Sequence, residues 1–212
     1  MAQYNIIAEN ENYTIVSDYQ SAYRTSEKYQ TEAQLEQELI KNLTEQGYEY
    51  LAIHTEKDLV DNLRVQLQRL NDYTFTDSEW ERFFNDVIAN TNEGIEAKTA
   101  KIQEDHIQVL KRDTGETKNI YLIDKRNIHN NYLQVINQYE EEQGNHDTRY
   151  DVSILVNGLP LVHIELKRRG VQLKEAFNQI DRYQRDSFWA GSGLYEYVQI
   201  FVISNGTNTK YY

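Results

Sequence analysis

Residues 149–167 constrain the fold of this chain more than any other stretch. They read RYDVSILVNGLPLVHIELK, two apolar runs rich in β-branched residues on either side of Asn157-Gly158. Asn-Gly between such runs is a strong hairpin signal. Residues two apart on a strand share a face, so Glu165 and Lys167 point the same way. Asp151 joins them only in one register, because a one-residue slip turns every side chain over. A two-residue turn at Asn157-Gly158 pairs Asp151 with Ile164 and sends it to the wrong face. The apolar pattern favours another pairing, with Val152, Ile154 and Val156 matching Val162, Ile164 and Leu166 as one hydrophobic face. Asp151, Ser153, His163, Glu165 and Lys167 then share the other. That grouping requires an odd loop, such as a three-residue loop with Gly158 left-handed. It sets Asp151 opposite His163, with Glu165 on the diagonal about 7–8 Å away by Cα.

Two carboxylates and an ammonium on one face suit metal-dependent cleavage of a phosphodiester. Attack builds negative charge on phosphoryl oxygens, which a carboxylate-held cation and a neighbouring ammonium stabilise. Mg²⁺ is hard, prefers oxygen ligands and keeps several waters, so two or three carboxylates plus substrate oxygens fit it. Lys167 orients the attacking water or helps deprotonate it. The competing reading is a half-exposed hairpin with an ordinary cross-strand ion pair, since short patterns of this kind recur by chance. His163 reads as a neutral filler of that face.

Composition narrows the field. The length of 212 residues fits one large domain with a real core. Without cysteine there are no disulfides, Cys-ligated zinc or iron–sulfur clusters, and a reducing compartment is the simplest setting. The first residues lack a basic start and a long apolar stretch, and no later segment approaches a membrane span, so the expectation is a soluble cytoplasmic protein with no membrane partner. A net charge of −12 argues against a general DNA-coating surface. Between Leu159 and Arg185, however, six cations (Lys167, Arg168, Arg169, Lys174, Arg182, Arg185) outnumber three anions (Glu165, Glu175, Asp181), a locally positive strip on an acidic chain. No nucleotide-binding P-loop, dinucleotide fingerprint, nucleophile elbow or zinc-protease motif occurs.

The rest of the chain alternates in period. Thr31-Glu32-Ala33-Gln34 opens a helix as a capping box, Leu35, Leu39 and Leu43 recur at helical spacing, and Gly47 stops it. A second helix runs over about 56–70 with Leu59, Leu63, Leu67 and Leu70. A third is capped by Asp77 or Ser78 and turns Trp80, Phe83, Phe84, Val87 and Ile88 inward, as core rather than as a base-stacking platform. Strand-like segments follow at 106–110 and 119–123, a hairpin about Asp113-Thr114-Gly115, and then at 132–139, before an exposed polar loop at 140–146. A helix over about 173–188 carries Ala176, Phe177, Ile180 and Tyr183 on its apolar side, and strands at 197–203 and 207–212 close the chain, with another short strand near 13–16. Glu32 and Glu36 lie on one helix face beside the leucines, where either can reach a metal as a third carboxylate or simply favour the helix N-terminus. Gln179 and Tyr183 are likewise four apart, able to contact a phosphate or base edge or to line the core boundary.

Asp151, Glu165-Leu166-Lys167 and the trailing Gln179-x-x-x-Tyr183, with Glu36 on a leading helix, resemble the PD-(D/E)xK nuclease superfamily in its branch with a QxxxY motif. The blocks at Thr31–Ile40, Gly47–Tyr50, Asn119–Asp124, Arg149–Gly170, Glu175–Ile180 and Ile203–Thr207 are similar to the N-terminal domain of the R subunit of type I restriction–modification enzymes. The match covers the chain from about residue 31; Tyr150, in place of proline, precedes Asp151. The resemblance implies an α/β fold, a nuclease core with a central mixed β-sheet flanked by helices, spanning 1–212 as a single domain. It implies Mg²⁺, replaceable by Mn²⁺, bound by Asp151, Glu165 and the backbone carbonyl of Leu166, with Glu36 lining the site. Lys167 positions water, and Gln179 and Tyr183 support DNA contact, with Arg168, Arg169 and Arg182 beside them. The implied activity is non-specific cleavage of duplex DNA. The implied context is an N-terminal fragment of a longer chain whose absent ATP-driven translocase uses ATP, assembled with methylation and specificity subunits. A stand-alone junction resolvase and a non-catalytic DNA- or protein-binding relic are the other readings.

Overall fold

The structure, a computed structural model, describes residues 30–141 and 148–212 together with two short backbone strands, β1 (Ile6–Glu9) and β2 (Thr14–Val16), which pair antiparallel. The fold is mixed α/β. Helix α1 (Glu32–Glu45) starts on the expected capping box: Thr31 accepts from the Gln34 amide, and the Gln34 side chain accepts in return from the Thr31 amide. It leads through β3 (Glu49–Tyr50) to α2 (Glu56–Asn71), whose Leu59, Leu63 and Leu67 are buried. Each such leucine contributes roughly 1.5–3 kcal/mol when removed from water. Helix α3 (Asp77–Phe83) is capped by Thr76 rather than Asp77 or Ser78, in a box closed by Glu79, and continues into one wider turn, Phe84–Ile88.

Helix α4 (Ile95–Gln103) falls where no helix was expected, and it buries Lys98 and Lys101. Strands β4 (Ile107–Lys111) and β5 (Thr117–Tyr121) form the expected hairpin. Then come β6 (Leu133–Glu141), β7 (Thr148–Val156), β8 (Leu159–Leu166), α5 (Leu173–Asp186), β9 (Ile200–Ser204) and β10 (Thr209–Tyr211). A short helical turn, Leu194–Tyr197, occupies the start of the strand expected at 197–203. Most of the polar loop expected at 140–146 lies outside the described residues, although Glu140 and Glu141 still belong to β6. Phe177, expected on the apolar side of α5, is nearly half exposed and lies tilted against Tyr212, their ring centres 5.2 Å apart.

The central sheet has six strands in the order β10-β9-β8-β7-β6-β3. Strands β6, β7 and β8 form an antiparallel meander; β8 and β9 are parallel and joined through α5. Among the described residues, one face is covered by α1 and Tyr48, over Val135, Val152, Ile164 and Leu166. The opposite face carries the larger core, with α2, α3, α5 and the β4–β5 hairpin. Among the described residues no helix is long and apolar enough to cross a membrane.

The expected odd loop is not what joins β7 to β8. Asn157 and Gly158 form a two-residue turn with φ of 52° and 86°, the left-handed pair such a turn demands. Parity is restored on β8 instead. Val156 faces Leu159 and Leu155 faces Pro160, but Ile154 faces Val162, so Leu161 is an extra residue, a β-bulge. In consequence Ser153, not Asp151, lies opposite His163. Val156 packs against the larger core, so it leaves the apolar face proposed for it with Val152 and Ile154. The turn is tied down by the buried Asn157, which accepts from the Tyr132 amide at 2.9 Å and donates to Leu122 O at 3.0 Å and to Asn131 Oδ1 at 2.8 Å.

Candidate functional site

Beyond the bulge, β8 runs as Ile164-Glu165-Leu166 with Ile164 and Leu166 under α1 and Glu165 turned the other way. Across from it β7 rolls over between Tyr150 and Val152: the first side chain belongs to the larger core and the second to the α1 face. Asp151 sits at that roll. The β6–β7 ladder pairs Asn137 with Val152 and Tyr139 with Tyr150, and skips Asp151 and Gln138 between them. Asp151 Oδ2 accepts from the Leu166 amide at 2.8 Å, which aims the carboxylate at the end of β8.

Glu165 is fully buried. Lys167 Nζ donates to its Oε1 at 2.8 Å, while Oε2 has no hydrogen-bond partner. His163 Nε2 stands 3.6 Å from that free oxygen, beyond hydrogen-bonding distance. The His163 ring is fully buried, with both nitrogens unpartnered, edge-on to Tyr150, Tyr183, Phe188 and Tyr195.

The carboxylates are crowded. Burial, and then the charge of Glu165, push Asp151 up to about 7; the charge of Glu36 adds to this, while the Leu166 amide and Lys167 oppose it. Burial acts to lower Lys167, but the charges of Glu165, Asp151 and Glu32 and the bond to Glu165 outweigh it, so the ammonium is held above its ordinary value. Burial and the nearby Glu165 raise Tyr183 to about 12. One ammonium thus faces several acids, a surplus of negative charge in a partly dry pocket.

That surplus, the unpartnered Glu165 oxygen and the all-oxygen donor set fit a hard divalent cation. Among the described residues no three His, Cys, Asp or Glu side chains converge closely enough to hold an ion. Asp151, Glu165 and a backbone oxygen such as that of Leu166 are the groups that would hold such an ion, with water and substrate filling the positions Mg²⁺ leaves to them.

Around this centre, Glu32 Oε1 accepts from the Arg168 amide at 3.1 Å. Glu36 binds the side chains of Asn137 and Gln138. Gln179 donates to the Tyr183 hydroxyl, which donates in turn to Arg149 O at 3.3 Å. Arg182 lies 5.9 Å from the centre of the Tyr183 ring, and Arg169 donates to Gly206 O at 3.3 Å. Arg168, Arg169 and Arg182 are exposed and do not enter the buried pocket. Asn137 and Gln138 carried no signal in the sequence: they sit in an ordinary strand pattern, 101 and 102 residues from Glu36.

The chain is 48% identical over 207 residues to the type I restriction enzyme EcoprrI endonuclease subunit of Escherichia coli, an alignment covering 97% of this chain and 66% of that protein. It is 40% identical over 188 residues to the type I restriction enzyme SsaAORF53P endonuclease subunit of Staphylococcus saprophyticus, covering 86% of this chain and 19% of the relative. A putative type I restriction enzyme MjaIXP endonuclease subunit of Methanocaldococcus jannaschii is 35% identical over 107 residues, covering 47% of this chain and 10% of the relative. The chain thus spans less than two thirds of the length of these relatives. Residues 29–212 match the family described as type I restriction enzyme R protein N terminus, and to that family the chain belongs.

Proposed function

We propose that this chain is the nuclease domain of a type I restriction enzyme R subunit and hydrolyses phosphodiesters of duplex DNA with a divalent cation, Mg²⁺ or Mn²⁺. The observation that carries the reading is the meeting of Asp151, Glu165 and Lys167 at the ends of β7 and β8, with one buried Glu165 oxygen left unpartnered. Asp151, Glu165 and the Leu166 carbonyl hold the ion. When bound, the ion withdraws charge from the phosphoryl oxygens and makes water a stronger nucleophile.

Lys167 stays an ammonium at neutral pH, since its proton is held by the surrounding acids. Its part is to orient water and to stabilise developing negative charge rather than to act as the base. Gln179 and Tyr183 hold one another and brace β7 through Arg149 O. Arg168, Arg169 and Arg182 are placed outside the pocket, where they meet the DNA backbone without reading bases. Contacts to the DNA backbone alone would leave cleavage without sequence preference. In this reading DNA recognition belongs to specificity and methylation subunits, ATP is used by motor domains of the R subunit, and the complex works in the cytoplasm.

The test is nicking of supercoiled plasmid with Mg²⁺ or Mn²⁺ by the assembled restriction complex. Asp151→Ala, Glu165→Ala and Lys167→Ala are each expected to lower the rate about a hundredfold or more. A complex that restricts normally with Glu165→Ala overturns the assignment.

A further inference from the structure

Glu36 approaches the site from α1, and both of its oxygens are engaged. Asn137 Nδ2 donates to Oε1 and Gln138 Nε2 to Oε2, each at 2.5 Å. The bracket is itself braced. The Tyr50 hydroxyl donates to Asn137 Oδ1 at 2.9 Å, which leaves the Asn137 amino group to face Glu36. Gln138 has a φ of 53°, a conformation that a residue with a side chain keeps only where its surroundings enforce it. His54 Nδ1 meets its carbonyl at 3.2 Å, and the His54 carbonyl accepts from the Glu140 amide at 2.9 Å. The strained residue faces Asp151 across the ladder position that both of them skip.

A bend placed opposite a metal-binding acid, with its side chain on a second acid, is an arrangement for aiming that second acid. Two amides on one carboxylate leave it poorly placed to enter the ion's coordination sphere. Among the described residues no trio of ligating side chains forms around one ion. Mg²⁺ retains water, and an ionised carboxylate at one remove accepts hydrogen bonds from that water. We propose that Asn137 and Gln138 are positioning residues that hold Glu36 at one remove from the ion bound by Asp151 and Glu165, strengthening the hold on a hydrated divalent cation. This rests on the metal-site reading above.

Mn²⁺ binding to the 212-residue chain, followed by the paramagnetic resonance of the free ion, tests the proposal without turnover. Glu36→Gln, Asn137→Ala and Gln138→Ala are each expected to weaken binding about tenfold. Gln138→Ala added to Glu36→Gln is expected to cost nothing more, because the amide acts through that carboxylate. Gln138→Gly removes the amide while relieving the backbone, so it is expected to bind as weakly as Gln138→Ala and to melt no lower than the unaltered chain without metal. Unaltered affinity in Asn137→Ala and Gln138→Gly overturns the proposal, as does an equal loss with and without Glu36. These outcomes leave the metal site standing if Asp151→Asn abolishes binding. If Asp151→Asn leaves binding intact, the site reading fails and takes the proposal with it.

Discussion

Asp151 is held in a place that suits its neighbours better than itself. Its pKa is raised in the folded chain to about 7, so the unfolded chain gives up the proton first as pH rises. The resulting penalty is absent below about pH 4, grows between about 4 and about 7, and is complete above that. Asp151→Asn is therefore expected to stabilise the metal-free chain above pH 7 by roughly 2–4 kcal/mol, read from urea midpoints, with the gain gone at pH 4. A variant less stable than the parent at pH 8 refutes this. Asp113 has the opposite sign. Hydrogen bonds from Ser78, Thr76 and Arg82 hold its carboxyl down at about 2. The linked stability is present above the ordinary value of 3.8 and is lost as pH falls from there through about 2. Comparison of acid unfolding in the parent and Asp113→Asn should show the two curves converging over that interval; parallel curves contradict it.

At the level of elements, legibility tracked locality. Helices α1 and α2 were readable because their leucines repeat every turn and their caps are local. Even the shared orientation of Asp151, Glu165 and Lys167 followed from the apolar pattern. The device that achieves it did not, because a bulge at Leu161 and a longer loop have the same parity. Helix α4 was missed because it buries Lys98 and Lys101, which read as surface; their partners, Glu196 and Glu93, are supplied by the fold, the former 98 positions away. The Asn137–Gln138 bracket was missed for the same reason. The turn carries a sharp test. A Cβ at Gly158 lies 2.6 Å from the Leu63 Cα, and the φ there is 86°. Gly158→Ala is expected to cost about 2–4 kcal/mol in denaturant unfolding, since neither the turn nor the α2 backbone can yield cheaply. A loss below 1 kcal/mol shows that α2 can move off the hairpin.

For the molecule as a whole, the two faces of the sheet are unequal. Helix α1 has no fully buried side chain, whereas α2 buries four. Hydrogen exchange is expected to open α1 well before α2, and Mg²⁺ is expected to slow α1, since Glu32 and Glu36 are carried on it. Equal protection in both helices, with no response to the ion, counts against this division. The bulge, finally, gives the hairpin an arithmetic. An even turn plus one surplus residue sets the acid and the ammonium on their side of the sheet. Insertions or deletions between Leu155 and Val162 should therefore sort by parity: a change of one residue transposes the chemistry to the far side, and a change of two restores it.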